Sequence, residues 1–232
     1  MTSTLPPQTS MAGDPLASVP LFAGLQTAER HALGALLRER SYTKGNIIVF
    51  AHDPGDALFV VAAGQVKVVL IAEDGREVIL SVLGPGRVFG ELALVDDQPR
   101  SAHVIALEDA RLLVLHRRDF QTRLRESPEL ALALLRELSQ RIRRADDTIR
   151  NLITLDVNGR VADLLLRLAD EEDGEHITRR LTHQTIAQMV GTSRETVSRT
   201  MRHLVDTGVL TVTRKEIVIR DRGALNSAAR RG

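Results

Sequence analysis

Thr182-His-Gln-Thr-Ile-Ala-Gln-Met-Val-Gly191-Thr-Ser193-Arg-Glu-Thr-Val-Ser-Arg199 reads as two short helices joined by a glycine turn, a helix-turn-helix. Ile186, Ala187 and Val190 share one face of the first helix, and Val197, Met201 and Leu204 face back from the second. Ala187 is small where two helices must cross, and Gly191 supplies the left-handed turn residue. Ser193 is placed to cap the second helix, so Arg194 and Glu195 fall in its first turn and Arg199 about one turn later. Thr182 can cap the first helix, but Thr185 stands where a capping box wants Glu or Gln, so that cap is half made.

Those positions suit the major groove of DNA. A guanidinium grips guanine O6 and N7 with two bonds, and a carboxylate accepts from cytosine N4, each good pair discriminating by roughly 1 to 3 kcal/mol. Ser193, Thr196 and Ser198 can bind phosphate, and Thr182, His183 and Gln184 open the first helix beside them. An isolated Arg-Glu-Thr-Val-Ser-Arg fits a solvated helix face equally well, so context decides. Residues 177 to 232 hold eleven Arg or Lys against four acids, a segment net of +7, whereas the whole chain is only +1. A near-neutral protein with one basic end suits local attraction to phosphate, weakened by salt.

The 232 residues, 43% of them hydrophobic, allow one or two domains with real cores. With no cysteine, disulfides, thiolate-held zinc, cysteine-ligated clusters and a cysteine nucleophile are excluded. No apolar run approaches a membrane span, and the seven histidines are scattered without ligand spacing. Met1 to Pro20 lacks the basic start and apolar core of a signal peptide and reads as a mobile extension. A cytoplasmic protein without metal or haem is the expectation.

From Ser41 to about Leu115 glycines recur about every ten residues between strand-like runs: Ile47 to Phe50, Ala57 to Val61, Val66 to Ile71 and Val78 to Leu83. Asp74-Gly75 is a hairpin turn, and the spacing predicts an antiparallel barrel or sandwich. Within it lies Phe89-Gly-Glu-Leu-Ala-Leu-Val-Asp-Asp-Gln-Pro-Arg-Ser-Ala102, whose groups suit a small sugar phosphate. Arg100 can pair with the phosphate, Ser101 and exposed N–H groups can donate to it, and Glu91 can accept from a ribose hydroxyl. Gly90 lets the backbone approach closely.

After Ser127-Pro128, Leu135, Leu138, Ile142, Ala145, Ile149 and Leu152 recur at alternating steps of three and four. This heptad seam predicts a parallel two-stranded coil of about 25 residues, near 37 Å. An amphipathic helix lying on its own β-domain is the alternative. Val209 to Thr213, Arg214-Lys215 and Glu216 to Arg220 read as a β-hairpin with a basic turn. Asp170-Glu-Glu-Asp173 reads as a solvated acidic loop, and no nucleophile and base stand at useful spacing for an enzyme.

Taken in order, these motifs resemble the cyclic AMP receptor protein (Crp/Fnr) family of bacterial transcription regulators. Phe89-Gly-Glu-Leu with Arg100-Ser-Ala is similar to its phosphate-binding cassette, Asp156-Val-Asn-Gly-Arg160 to its hinge, and Arg194 to Arg199 to its recognition helix. The resemblance implies an α+β chain with four parts: an N-terminal extension (1 to 18), an antiparallel jelly-roll-like β-roll binding a cyclic nucleotide (19 to 126), a dimerisation helix (127 to 155) and a winged helix-turn-helix (156 to 232). It also implies a homodimer on double-stranded DNA, a TGTGA-like half-site, RNA polymerase as a partner, and nucleotide contacts at Gly90, Glu91, Leu92, Arg100, Ser101, Ala102, Arg141, Ala145 and Asp146. Ala145 and Asp146 depart from the polar pair that holds adenine in well-known members. Cyclic AMP is the first expectation; cyclic GMP, cyclic di-GMP or no ligand remain open, as does a regulator of a protein partner.

Overall fold

A computed structural model describes residues 14–172, 174–179 and 181–230. Most of the expected N-terminal extension, Asp173 and Arg180 therefore lie outside the described residues. The chain forms two compact units, one from the residues up to Val69 with Ser81–Ser139, the other from Leu70–Leu80 with Gln140 onward.

After a 3-10 turn at Pro20–Phe22 come α1 (Thr27–Gly34), β1 (Arg38–Tyr42), β2 (Ile47–Val49), β3 (Ala57–Ala63), β4 (Val66–Ile71) and β5 (Glu77–Leu83). Then follow β6 (Val88–Phe89), α2 (Leu92–Val95), β7 (His103–Ala106), β8 (Ala110–His116), α3 (Arg117–Glu126) and α4 (Pro128–Thr154). The strands make two antiparallel sheets, ordered β1-β8-β3-β6 and β2-β7-β4-β5. Gly75, at φ +81°, turns the β4–β5 connection as the Asp74-Gly75 pair predicts.

Residues of β3 and β8 point alternately to two cores, as the period of two dictates. Leu58, Val60, Leu113 and Leu115 join Phe22, Phe120, Leu130 and Leu134 of the flanking helical segments. Ala57, Phe59, Val61, Leu112 and Val114 instead meet Val49, Val66 and Val104 of the second sheet. A strand buried on both faces reads as a continuous apolar run. The edge strand β1, Arg-Glu-Arg-Ser-Tyr, is polar and gives no such signal, yet it pairs with β8 from Arg38↔Val114 to Tyr42↔Ala110.

Of the stretch expected to be mobile, the described residues Asp14 to Pro20 are packed. Leu16 and Val19 are buried in the core, and Asp14 accepts from Arg30 Nε at 2.6 Å and from the Leu16 N–H at 3.0 Å. Burying two aliphatic side chains and one ion pair fixes this stretch.

On α4, Leu130 and Leu134 complete the first core, with Leu138 half-buried against it. Leu135, Ile142, Ile149 and Leu152 of the seam are exposed, together with Leu132 and with Ile153 at 80%. Packing on the β-domain thus accounts for the start of the helix and leaves its seam open.

The second unit continues with α5 (Val157–Asp170), β9 (His176–Ile177), α6 (His183–Val190), α7 (Arg194–Asp206), β10 (Leu210–Val212), β11 (Ile217–Ile219) and α8 (Arg222–Ala228). Val161, Leu165, Ile177, Ile186, Val197, Met201, Ile217 and Leu225 share its core. β10 and β11 form the predicted hairpin, and the two-residue β9 adds a third strand. The hinge expected at Asp156 to Arg160 is mostly helical: Asp156 caps α5, its Oδ1 accepting from the Gly159 N–H at 2.7 Å, so the helical break lies at Leu155 and Asp156. Asp170 closes α5, and the next acids are partnered rather than solvated. Glu171 and Glu172 meet the Arg179 guanidinium at 3.0 and 3.1 Å, and Asp170 pairs with Arg222. Among the described residues no helix is long and apolar enough to cross a membrane, and no group of three or more His, Asp or Glu is arranged to hold a metal ion.

Candidate functional site

Phe89 ends β6 stacked on its cross-strand neighbour Phe59, ring centroids 4.9 Å apart. The chain then turns through Gly90, at φ +86°, into the short helix α2. A Cβ at Gly90 would sit 2.5 Å from Arg100 Nη1 and 3.0 Å from the Ala57 carbonyl oxygen, so glycine is required for both its conformation and its lack of side chain.

Arg100 points inward. Its guanidinium donates to the carbonyls of Gly90 at 2.7 Å and Ala57 at 2.8 Å, lies 3.6 Å from Asp56 and 5.8 Å from the Phe59 ring centre, and is 5% exposed. Burial pushes its pKa below the ordinary arginine value, opposed by the carboxylates of Asp56 and Glu91. Glu91 is wholly buried. Ser101 is exposed, Leu92 half-buried and Ala102 buried, so the sequence-predicted residues from Gly90 to Ala102 are gathered in one loop of the first unit.

The other three expected nucleotide contacts lie on the part of α4 that belongs to the second unit. Arg141 and Ala145 stand one turn apart on one face; Arg141 is half-buried, while Ala145 and Asp146 are exposed.

In the second unit α6 and α7 pack as the sequence dictates. Thr182 Oγ1 accepts from the Thr185 N–H at 3.0 Å, and Ser193 Oγ accepts from the Thr196 N–H at 3.2 Å. Gly191 takes φ +71° between them. Ile186, Ala187, Val197 and Met201 are buried, which turns Arg194, Glu195 and Arg199 to the exposed face of α7, with Ser198 and Thr196 half-buried beside them. Gln184 is exposed and His183 half-buried at the start of α6. Arg214 and Lys215 lie in the exposed turn between β10 and β11.

Sequence reasoning missed several residues that hold these parts. Arg117 reaches the cassette backbone, Thr200 Oγ1 donates to Asn158 Oδ1 at 2.7 Å, and Arg160 ties Leu155 to Val190. Apart from Leu155, five residues before Arg160, their partners are distant in sequence, and no local pattern announces these contacts.

Comparison with known proteins assigns the two halves separately. The cyclic nucleotide-binding domain family matches residues 39–127, and the Crp-like helix-turn-helix domain family matches residues 159–228. The CRP-like cAMP-activated global transcriptional regulator of Mycobacterium tuberculosis is 34% identical over 220 residues, 93% of this chain and 98% of that protein. This chain belongs to the Crp/Fnr family. It is thus a cyclic-nucleotide-binding, DNA-binding transcription regulator rather than an enzyme. The cyclic AMP receptor protein of Thermus thermophilus is 36% identical to the regulator over 210 residues, covering 90% of this chain and 96% of that one. The solved structure of FixK2 from Bradyrhizobium japonicum matches it with a TM-score of 0.75 at 25% identity, over 83% of this chain and 96% of that one.

Proposed function

We propose that this regulator is a cytoplasmic homodimer that binds a TGTGA-like palindrome when cyclic AMP occupies the cassette. The observation that carries the DNA reading is α7, which buries Val197, Met201 and Leu204 and presents Arg194, Glu195 and Arg199 outward from its first two turns. Two such helices about 34 Å apart would read half-sites one helical turn apart. The exposed row Leu135, Ile142, Ile149 and Leu152 on α4 suits a second copy, since a symmetric pair buries the same row on both chains. The proposed parts are an extension to residue 18 whose described end, from Asp14, packs on the next part, a β-roll to 126, a dimerisation helix to 155 and the winged domain beyond, with RNA polymerase as a further partner.

Cyclic AMP is favoured by two relatives, one named a cyclic AMP receptor protein and the other a cAMP-activated regulator. Gly90, Glu91, Leu92, Arg100, Ser101 and Ala102 would take the ribose phosphate, with attraction to the desolvated Arg100 acting through a low dielectric. Arg141, Ala145 and Asp146 would face the base. A second reading, a guanine cyclic nucleotide, is favoured by Asp146, because a carboxylate can accept from guanine N1–H and N2–H together. Ligand contacts made only in the DNA-competent arrangement, worth about 1 to 3 kcal/mol, would raise operator affinity some 5- to 150-fold, with Leu155 and Asp156 as the proposed hinge.

Fluorescence anisotropy on a TGTGA-N6-TCACA duplex at fixed salt, without nucleotide and then with cyclic AMP, cyclic GMP or cyclic di-GMP, tests this. Tightening by cyclic AMP alone supports the first reading, and tightening by a guanine ligand the second. Equal affinity in every condition refutes nucleotide control. With Asp146→Ala, an unchanged nucleotide preference removes the base-reading role from that residue.

A further inference from the structure

We propose that Arg117 is a positioning residue for the nucleotide site, holding the cassette backbone in its binding shape from outside the cassette. The inference rests on the cyclic-nucleotide reading above.

From the first position of α3 the Arg117 guanidinium reaches three residues on two separate stretches of chain. Nε and Nη2 donate to the Gly55 carbonyl at 2.8 and 2.6 Å, Nη2 donates to the Ala93 carbonyl at 2.7 Å, and Nη1 pairs with Asp97. The Arg117 N–H adds a bond to the Asp56 carbonyl at 2.7 Å. One turn on, Gln121 Nε2 donates to the Leu94 carbonyl at 2.8 Å. These bonds fall on segments with little stability of their own. The four-residue α2 is far below the length at which a helix holds itself, and Asp97 sits at φ +56°, where a residue with a Cβ is held only by its surroundings.

The contact also sets the approach of the segment before β3 to α2. A Cβ at Gly55 would lie 2.4 Å from the Ala93 Cβ, and Arg117 binds the carbonyls of both residues. Asp56, next in the chain, lies 3.6 Å from the buried Arg100 guanidinium. Arg117 therefore fixes, from the helix side, both the helix after Gly90 and the segment that carries Asp56, one of the two carboxylates acting on Arg100. Lysine cannot replace it, because a single ammonium cannot span Gly55, Ala93 and Asp97 as a planar fork does.

Full-length Arg117→Gln, Arg117→Lys and Asp97→Asn are compared with the parent by calorimetric titration with cyclic AMP and, without ligand, by amide hydrogen exchange. The proposal expects both Arg117 variants to bind cyclic AMP about ten-fold or more weakly, and Asp97→Asn, which removes only the outer arm, to lose less. It also expects faster exchange confined to residues 91–98, with β3 and β8 unchanged. Affinities within two-fold of the parent, or faster exchange throughout both sheets, overturn it, the second by showing a role in the whole fold. Should the Arg117 variants fail to fold, Asp97→Asn decides alone: faster local exchange upholds the proposal and unchanged exchange overturns it. A parent that binds no cyclic nucleotide defeats the functional reading instead, while the exchange data still decide whether Arg117 holds the cassette.

Discussion

Arg160 Nε donates to the carbonyl of Val190 at 3.0 Å, joining the first turn of α5 to the last residue of α6. Its Nη1 donates to the Leu155 carbonyl, also at 3.0 Å, just past the end of α4. Carbonyls at helix ends lack intrahelical partners, so this side chain satisfies two groups the helices leave open. We predict that Arg160→Ala lowers the stability of the winged domain by about 1 to 3 kcal/mol and weakens the effect of nucleotide on DNA binding. Urea unfolding followed by circular dichroism, with operator titrations beside it, checks both; an unshifted transition would count against the bridge.

Arg194 and Arg214 should fail differently. Arg194→Ala is expected to cost about 1 to 3 kcal/mol on the best operator and to relax preference at one base position. Arg214→Ala, in the hairpin turn, should weaken all duplexes alike and reduce the salt slope by about 1. Affinities for a set of single-base operator variants at three salt concentrations separate the two, and an identical profile for both would remove the base-reading role from Arg194.

Gly90→Ala combines a left-handed backbone with a methyl group placed 2.5 Å from Arg100 Nη1. The variant must move either the guanidinium or the cassette, so nucleotide binding should be lost while the helix-turn-helix stays intact. Calorimetry with cyclic AMP, beside nonspecific DNA binding at low salt as the control, reads the split. Wild-type nucleotide affinity would show that the loop tolerates what its geometry forbids.

Glu172 supplies a pH dependence. Burial opposes its ionisation, but the hydroxyl and N–H of Thr178, both at 2.7 Å, and the Arg179 guanidinium outweigh that and hold its carboxyl below the ordinary value of 4.5. A depressed folded-state pKa contributes stability above the unfolded value, and that contribution is lost as pH falls through the folded value. Glu172→Gln should therefore be less stable than the parent at pH 7, and the gap should narrow below about pH 4. Urea midpoints at both pH values test this, and a gap that stays constant would contradict it.

The parts of this fold set by neighbouring residues were readable from sequence. Gly191 and Ser193 announce the turn and cap because their chemistry is local, and the β3 and β4 runs are apolar enough to read as strands. The polar β1 and the two-residue β9 are made by their partners β8 and β11 and carry no signal of their own. At the cassette the residue types were legible but the direction of Arg100 was not, since the carbonyls of Ala57 and Gly90 that receive it are brought together only by the fold. Arg117 was hidden more completely. It is one arginine in a chain where 28 of 31 basic residues are arginine, and its targets lie 20 to 62 positions away.

The open row on α4 has a consequence for how the regulator responds to its own abundance. If Leu135, Ile142, Ile149 and Leu152 are covered by a second copy, a paired reading head exists only after two chains meet. Below the concentration at which half the chains are paired, occupancy of a palindrome would rise with the square of the amount synthesised. Halving gene dosage would then cut promoter occupancy about four-fold, giving the cell a second control that needs no small molecule.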